Sequence, residues 1–213
     1  MNDVTAKIRE MRIVPVVAIE NADDANSLGD ALILGGLPGA EITFRTDAAL
    51  NAITILAKRT DLLVGAGTVL KVDQAKAAVE HGAKYIVSPG INPRVVDYCV
   101  KNNIPIMPGV CTPTDIETAL DFGLDIVKFF PAEAFGGLKT LQAISAPYKM
   151  MYFLPTGGIN QKNLLDYLAF SKVWACGGSW MVKSDLIASG RFDEITRLTR
   201  EAVELAAQAK LSR

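Results

Sequence analysis

The stretch Ile126-Val127-Lys128-Phe129-Phe130-Pro131 is apolar except for one lysine. Lysine is almost never fully buried unless something offsets the loss of water. An apolar surrounding favours the neutral amine over the ammonium, and a neutral amine attacks carbonyl carbon, the opening step of Schiff-base chemistry. The competing reading of Lys128 is a strand-end side chain that snorkels into water. Phe129, Phe130 and Pro131 crowd that route. No other lysine sits inside an apolar strand: Lys84 and Lys172 precede theirs, and Lys76 and Lys101 fall in helical patterns.

A second polar set alternates with apolar residues in Glu41-Ile42-Thr43-Phe44-Arg45-Thr46. The two-residue period of a strand puts Glu41, Thr43 and Arg45 on one face. If Ile42 and Phe44 face helices, the polar face is inward. An inward carboxylate and guanidinium are costly unless paired or used. They form either a structural Glu–Arg pair or part of a site, with Arg45 suited to a substrate carboxylate. In Gly65-Ala66-Gly67-Thr68 the glycines permit close backbone approach. Thr68 offers a hydroxyl, and a helix-capping role is an equal reading for it. Ser88-Pro89-Gly90 and the stretch from Pro108 to Thr112 are turn chemistry first. Two further loops, Pro155-Thr156-Gly157-Gly158 and Cys176-Gly177-Gly178-Ser179-Trp180, each carry paired glycines. Together they suit a phosphate held by backbone N–H groups at a helix N-terminus; each alone is equally a tight turn.

These residues need a scaffold that brings distant stretches together. Residues 3–11 predict a leading helix. Apolar, β-branched runs then recur: Ile13–Ile19, Ala40–Phe44, Leu62–Thr68, Tyr85–Ser88, Ile104–Val110, Ile126–Phe129, Met151–Leu154 and Val173–Cys176. Such runs suit strands buried on both faces of a parallel sheet. Helical patterns separate them, with Asn21 as a cap, starts at Asn92-Pro93 and Thr112-Pro113, and ends at Gly35-Gly36 and His81-Gly82. The stretch from Lys183 to Arg213 is predicted helical with a break near Gly190. Eight strand–helix units in register predict a single-domain α/β (β/α)8 TIM barrel over residues 1–213. A doubly wound open sheet is the alternative, but Ile19-Glu20-Asn21 lacks its glycine fingerprint. In a barrel the chemistry sits at the carboxyl ends of the strands, and the loops after strands seven and eight are the usual phosphate site.

Composition narrows the function. The 213 residues are 50% hydrophobic with net charge −1. No basic stripe with interleaved aromatics appears, so nucleic acid is not expected as a partner. Cys99, Cys111 and Cys176 are odd in number and widely spaced, which is not a disulfide framework. The polar N-terminus has no secretory apolar core, and no run approaches a membrane span; a cytoplasmic protein without membrane partners is the expectation. His81, the one histidine, is explained by a helix end. A zinc-dependent aldolase or a Ser-His-Asp triad therefore lacks its ligands or base, and no metal is expected. An inward lysine, an inward carboxylate, an arginine and a phosphate cradle suit Schiff-base chemistry on a phosphorylated keto acid.

The motifs quoted above, with Gly65-Ala66-Gly67-Thr68-Val69-Leu70 and Val127-Lys128-Phe129-Phe130-Pro131-Ala132-Glu133, occur in order over nearly the whole chain. They resemble the 2-keto-3-deoxy-6-phosphogluconate / 2-keto-4-hydroxyglutarate aldolase family. The resemblance implies a class I aldolase, a lyase of the Entner-Doudoroff pathway, on a homotrimeric TIM barrel with no metal or organic cofactor. It implies Lys128 as the Schiff-base lysine and Glu41 as the general acid/base. Arg45, Thr68 and the nearby Thr156 are implied at the pyruvyl carboxylate, Pro89 and Phe130 as apolar walls. Gly157, Gly158, Gly178 and Ser179 are implied at the phosphate. Pro38-Gly39 before the second strand departs from the bulkier residues of relatives and is expected to alter only a turn. Cys111 and Phe153 are variations without an evident reading.

The expected reaction is retro-aldol cleavage of 2-dehydro-3-deoxy-6-phosphogluconate to pyruvate and glyceraldehyde 3-phosphate. Cleavage of 4-hydroxy-2-oxoglutarate to pyruvate and glyoxylate is the companion activity. Glu133 is a rival to Glu41 but lies in the loop beyond the strand. Alternatives are the galactonate-derived substrate, a phosphosugar isomerase or epimerase using Glu41 as base, and a catalytically dead barrel. An unused set of buried charges argues against the last.

Overall fold

The computed structural model describes residues 3–209. Helix α1 (Asp3–Met11) precedes β1 (Ile13–Val17). Asn21 then caps a 3-10 turn at Ala22–Asp24 by accepting the Asp23 N–H, and α2 (Ala25–Leu34) follows. The alternation continues with β2 (Gly39–Thr43), α3 (Ala49–Leu56), β3 (Leu63–Gly67), α4 (Val72–Glu80), β4 (Ile86–Val87) and α5 (Pro93–Lys101). Next come β5 (Ile106–Met107), β6 (Gly109–Val110), α6 (Pro113–Asp121), β7 (Ile126–Phe129) and α7 (Gly137–Ser145). The last elements are β8 (Tyr152–Pro155), α8 (Leu164–Ala169), β9 (Cys176–Gly178), α9 (Ser184–Ala188) and α10 (Phe192–Ala207). Helix starts follow their caps: Asn92 accepts the Arg94 N–H, and Thr112 and Asp115 form a reciprocal capping box.

All strand pairs are parallel, as the crossover helices require. They form an α/β fold with a curled sheet, in the order β5-β4-β3-β2-β1-β9 and β6-β7-β8. The expected eight strands appear as nine in two sheets, because the fifth unit is divided at Pro108. Proline has no N–H to give to a ladder, so the run breaks into β5 and β6. The sheets meet again where bridges join Phe153 to Val173 and Thr156 to Gly177. The expected strand at 173–176 is shifted: β9 takes in Gly177 and Gly178, which pair with Val14 and Pro15 of β1. The C-terminal helix breaks at Gly190, φ +67, into α9 and α10. Residues 210–213 of that expected helix lie outside the described residues. Gly39, expected in a turn, is instead the first residue of β2. A Cβ there would lie 2.6 Å from Met11 Sδ, so the small residue lets α1 approach.

Strand alternation divides the core in two. Val17, Ile42, Val64, Ile86, Val127, Phe129 and Phe153 face the helices in the main cluster. Val14, Tyr85, Met107, Ile126, Leu154 and Trp174 form a second cluster with Ile8 of α1. Helix α1 covers that inner cluster at the amino ends of the strands: Trp174 Nε1 donates to the Thr5 carbonyl at 2.8 Å. Arg12, between α1 and β1, donates to the Ala206 and Ala209 carbonyls at 2.5 and 2.9 Å. It thereby ties the end of α10 to the start of β1.

Candidate active site

Two residues further along the same inward faces, the interior turns polar. Glu41 on β2 is 0% exposed and Lys128 on β7 is 4% exposed. Lys128 Nζ lies 3.5 Å from Glu41 Oε1. The carboxylate oxygens have no hydrogen-bond partner among the described residues. A buried pair so lightly satisfied is weak evidence for stability and is poised for an added polar group. The adjacent strand makes the room. A Cβ at Gly67 would lie 2.1 Å from Glu41 Oε1, and one at Gly65 would lie 2.2 Å from the Tyr85 ring. Tyr85 sits beneath the carboxylate; burial, and then the Glu41 charge, push its phenol well up.

Around the pair, each strand end contributes one feature. Phe130 follows β7 and puts its ring 5.0 Å from the Lys128 amine. Arg45, exposed at the rim, donates through Nε to Thr43 Oγ1 at 3.1 Å. Thr43 in turn donates to the Val17 carbonyl at 2.6 Å, so β1 orients the guanidinium through a buried hydroxyl. The ion pair of Glu41 is thus with Lys128, and not the structural pair with Arg45. Thr68 holds φ +57, a left-handed backbone that is strained for a β-branched residue and typical of functional sites. It is not a helix cap: Lys71 occupies that position for α4. Thr156 directly follows β8 at 6% exposure, and a Cβ at Gly177 would lie 2.3 Å from its hydroxyl.

The glycine loops complete one side. Gly157 and Gly158 hold φ +96 and +89, conformations that only glycine takes readily. The Gly158 carbonyl accepts from Asn160 Nδ2 and Asn163 Nδ2 at 2.9 and 3.1 Å. Gly178 is the last residue of β9, and Ser179 beyond it is exposed. The expected helix N-terminus does not adjoin Ser179. Helix α9 starts at Ser184 without a side-chain cap and is five residues long, so the backbone N–H groups here belong to loops.

One cavity of about 220 Å³ gathers these features at the carboxyl ends of the strands. Lys128, Glu41, Arg45, Thr68, Pro89 and Phe130 line it, and so do Thr156, Gly157, Gly158, Gly178 and Ser179. Val16, Ile159 and Gly177 also line it, and of these only Gly177, in its paired-glycine loop, stood out in the sequence. Val16 shares the inward face of β1 with Val14, so the period of two was the available signal. Gly177 was part of the paired-glycine loop expected beyond the eighth strand, and it lies instead within β9.

A model of the KDPG and KHG aldolase family matches residues 4–198. The chain belongs to this family. A 2-dehydro-3-deoxy-phosphogluconate aldolase of Haemophilus influenzae is 50% identical over 203 residues, 95% of this chain and 96% of that protein. A KHG/KDPG aldolase of Escherichia coli K12 is 42% identical over 193 residues, 90% of this chain and 91% of that one. A crystal structure of the Legionella pneumophila KDPG aldolase holds pyruvate captured at low pH as a covalent carbinolamine intermediate. It matches with a TM-score of 0.90 and 36% identity, over 94% of this chain and 98% of that one.

Other chemistry-bearing groups of this aldolase-family chain stand elsewhere. Glu133 lies outside the cavity lining, and its carboxylate accepts the Tyr167 hydroxyl at 2.5 Å. His81 ends α4 with Nδ1 2.7 Å from the Ala77 carbonyl. Burial pushes the Cys99 thiol up to about 12 and raises Cys176 as well. Cys111 is half-buried and also raised, by burial and then by Asp115. Phe153, on the helix-facing side of β8, is fully buried, so its variation is one of packing. Among the described residues no cluster of three His, Cys, Asp or Glu side chains is arranged to hold a metal ion.

Proposed function

We propose that this family member is a class I aldolase in which Lys128 forms the Schiff base and Glu41 moves the protons. The observation that carries the reading is the buried amine 3.5 Å from a carboxylate with no other partner, inside the cavity. The substrate is 2-dehydro-3-deoxy-6-phosphogluconate, cleaved to pyruvate and glyceraldehyde 3-phosphate. The companion substrate is 4-hydroxy-2-oxoglutarate, cleaved to pyruvate and glyoxylate.

The free amine of Lys128 adds to the C2 carbonyl to give a carbinolamine, and loss of water leaves an iminium. Glu41, acting through a bridging water, takes the proton of the C4 hydroxyl. The C3–C4 electrons flow into the iminium, the C4 oxygen becomes the aldehyde, and an enamine remains on Lys128. Glu41 returns its proton to C3. Water then adds to the iminium, and pyruvate leaves with Lys128 restored as the amine. The iminium is the electron sink, so the chemistry calls on no metal or organic cofactor. One carboxylate serves as base and then acid, as general acid–base catalysis allows.

The remaining roles follow the cavity. Arg45, held by Thr43, Thr68 and Thr156 take the pyruvyl carboxylate end. Pro89 and Phe130 are apolar walls, and Phe130 keeps water from the enamine. Gly157, Gly158, Gly178 and Ser179 take the phosphate. A closed (β/α)8 barrel in one domain over residues 1–213 is our reading of the two sheets. The single-residue link at Pro108 and the bridges at Phe153 and Thr156 support it. A homotrimer in the cytoplasm, serving the Entner-Doudoroff pathway, is the family-based part of the proposal. No helix of the described residues is long and apolar enough to cross a membrane.

Borohydride trapping tests the central claim. Reduction with pyruvate present adds a three-carbon unit at Lys128, read by peptide mass spectrometry. Label at any other lysine, or full activity in Lys128→Ala, sinks the scheme.

A further inference from the structure

Glu133 is outside the proton-transfer geometry, yet three contacts converge on it. Its N–H donates to the Gly157 carbonyl at 3.0 Å, beside an Ala132 N–H to Thr156 carbonyl bond of 2.8 Å. Its stem fills the space next to Gly158, where a Cβ would lie 2.6 Å from Glu133 Cβ and Cγ. Its carboxylate accepts the hydroxyl of Tyr167, which is on α8 and 1% exposed. Gly137, at φ +66, leaves space for that bond: a Cβ there would lie 3.0 Å from Glu133 Oε1 and 3.5 Å from the Tyr167 hydroxyl. Glu133 therefore grips the glycine loop at its start and the helix that follows it.

Peptide geometry says what the grip does. The Gly157 carbonyl and the Gly158 N–H belong to one planar trans unit and point in opposite directions. Holding the carbonyl from the Glu133 side turns the Gly158 N–H away from Glu133. In the next unit, Asn160 and Asn163 hold the Gly158 carbonyl, which fixes the direction of the Ile159 N–H. Gly158 and Ile159 both line the cavity. Neither N–H has a protein acceptor among the described residues.

We propose that Glu133 is a positioning residue for the phosphate end of the substrate: through its N–H, its stem and its bond to Tyr167 it aims the Gly158 and Ile159 N–H groups into the cavity, and it carries no proton in the reaction. The inference rests on reading this end of the cavity as a phosphate cradle. It adds a specificity device that reaches α8, outside the cavity.

The test is steady-state kinetics of Glu133→Ala, Glu133→Gln and Tyr167→Phe on two substrates. One is 2-dehydro-3-deoxy-6-phosphogluconate and the other is 4-hydroxy-2-oxoglutarate, which has no phosphate. Glu133→Ala and Tyr167→Phe raise KM for the phosphorylated substrate by about tenfold, the scale of one lost bond to a charged group. KM for the unphosphorylated substrate rises several times less, and kcat on the phosphorylated one holds within about threefold, because uniform binding is what is lost. Glu133→Gln, which keeps an oxygen acceptor for Tyr167, restores most of the loss. The inhibition constant of inorganic phosphate rises in parallel. An equal rise in KM for both substrates marks general disturbance and overturns the proposal. So does an unchanged KM, or a fall in kcat on both substrates in Glu133→Gln, which makes Glu133 a proton carrier. A wild type indifferent to the phosphate overturns the cradle reading itself, and this inference with it. A wild type that prefers the phosphate, with variants that lose nothing selectively, overturns the inference alone.

Discussion

The inner faces of the strands carry two layers with opposite chemistry. Near the amino ends, Val14, Tyr85, Ile126 and Leu154 pack with Ile8 and Trp174 into a dry cluster. Two residues on along the same strands, Ile126 gives way to Lys128 and Leu154 to Thr156. Across from them stand Glu41 and the bare Gly67 and Gly177. A groove of about 780 Å³ at the amino ends is larger than the cavity around Lys128, but solvent-facing charges such as Asp61 and Lys84 line it. Size does not mark the site. A buried charge pair with room beside it does.

The sharpest way to break this division is at its charged layer. Lys128→Ala lowers kcat by on the order of 10⁴-fold or more, as loss of a covalent nucleophile does. It also removes the partner of a buried carboxylate, at about 3–5 kcal/mol. Cleavage assays and denaturant melts read the two effects separately. Glu41→Gln follows, with kcat down by about 10²–10⁴-fold, while borohydride still traps pyruvate on Lys128. A variant that no longer traps would place Glu41 in imine formation instead. Gly67→Ala pushes a methyl against the carboxylate and lowers kcat/KM by about 10²-fold, the scale of a 1 Å misplacement.

The dry layer is expected to answer in the opposite currency. Ile126→Ala destabilises by about 2–5 kcal/mol through its cavity, while kcat/KM of the folded enzyme stays within about threefold because no reacting group moves. An activity loss matching that of Gly67→Ala would erase the distinction between the layers. The smallest effect concerns the rim of α6. Burial raises the Asp115 carboxyl, but bonds from Cys111 and Thr112 outweigh it and hold the group below its ordinary value. With the folded pKa depressed, the contribution is fully present above the unfolded pKa and fades as pH falls through the folded one. Asp115→Asn removes about 0.5–2 kcal/mol, the usual value of a cap, at neutral pH and progressively less in acid. Melting curves across that range check the sign.

The sequence showed the charged layer better than the frame around it. Lys128 stood out because a lysine inside an apolar run demands a reason, and alternation alone put Glu41 inward. The work of Gly65 and Gly67 was hidden. They read as glycines for backbone approach, whereas they clear space for Tyr85 and Glu41 from neighbouring strands. Only cross-strand register tells that, and one chain segment does not contain it. Gly177 and Gly178 read as a loop beyond the eighth strand that could cradle a phosphate, whereas they are part of β9 itself, since glycine is as much a loop signal as a sign of close packing. Val16 was lost in a run where every residue is apolar. The division at Pro108 was visible as a proline, but whether a proline ends a strand or merely interrupts it depends on the neighbour it faces.

The contrast in exposure within the cavity bears on how this chain can be remodelled. Glu41 and Lys128 are sealed in, whereas Arg45 and Ser179 stand in solvent at the rim. Exposed substitutions away from structural features usually shift stability by no more than about 0.5 kcal/mol. Substitution of Ser179, at the end proposed for the phosphate, is therefore expected to alter the aldehyde partner while the fold and Lys128 stay untouched, whereas Arg45, held by Thr43 and proposed at the pyruvyl carboxylate, has no such freedom. Selectivity and survival of the fold are therefore expected to vary independently at that one position.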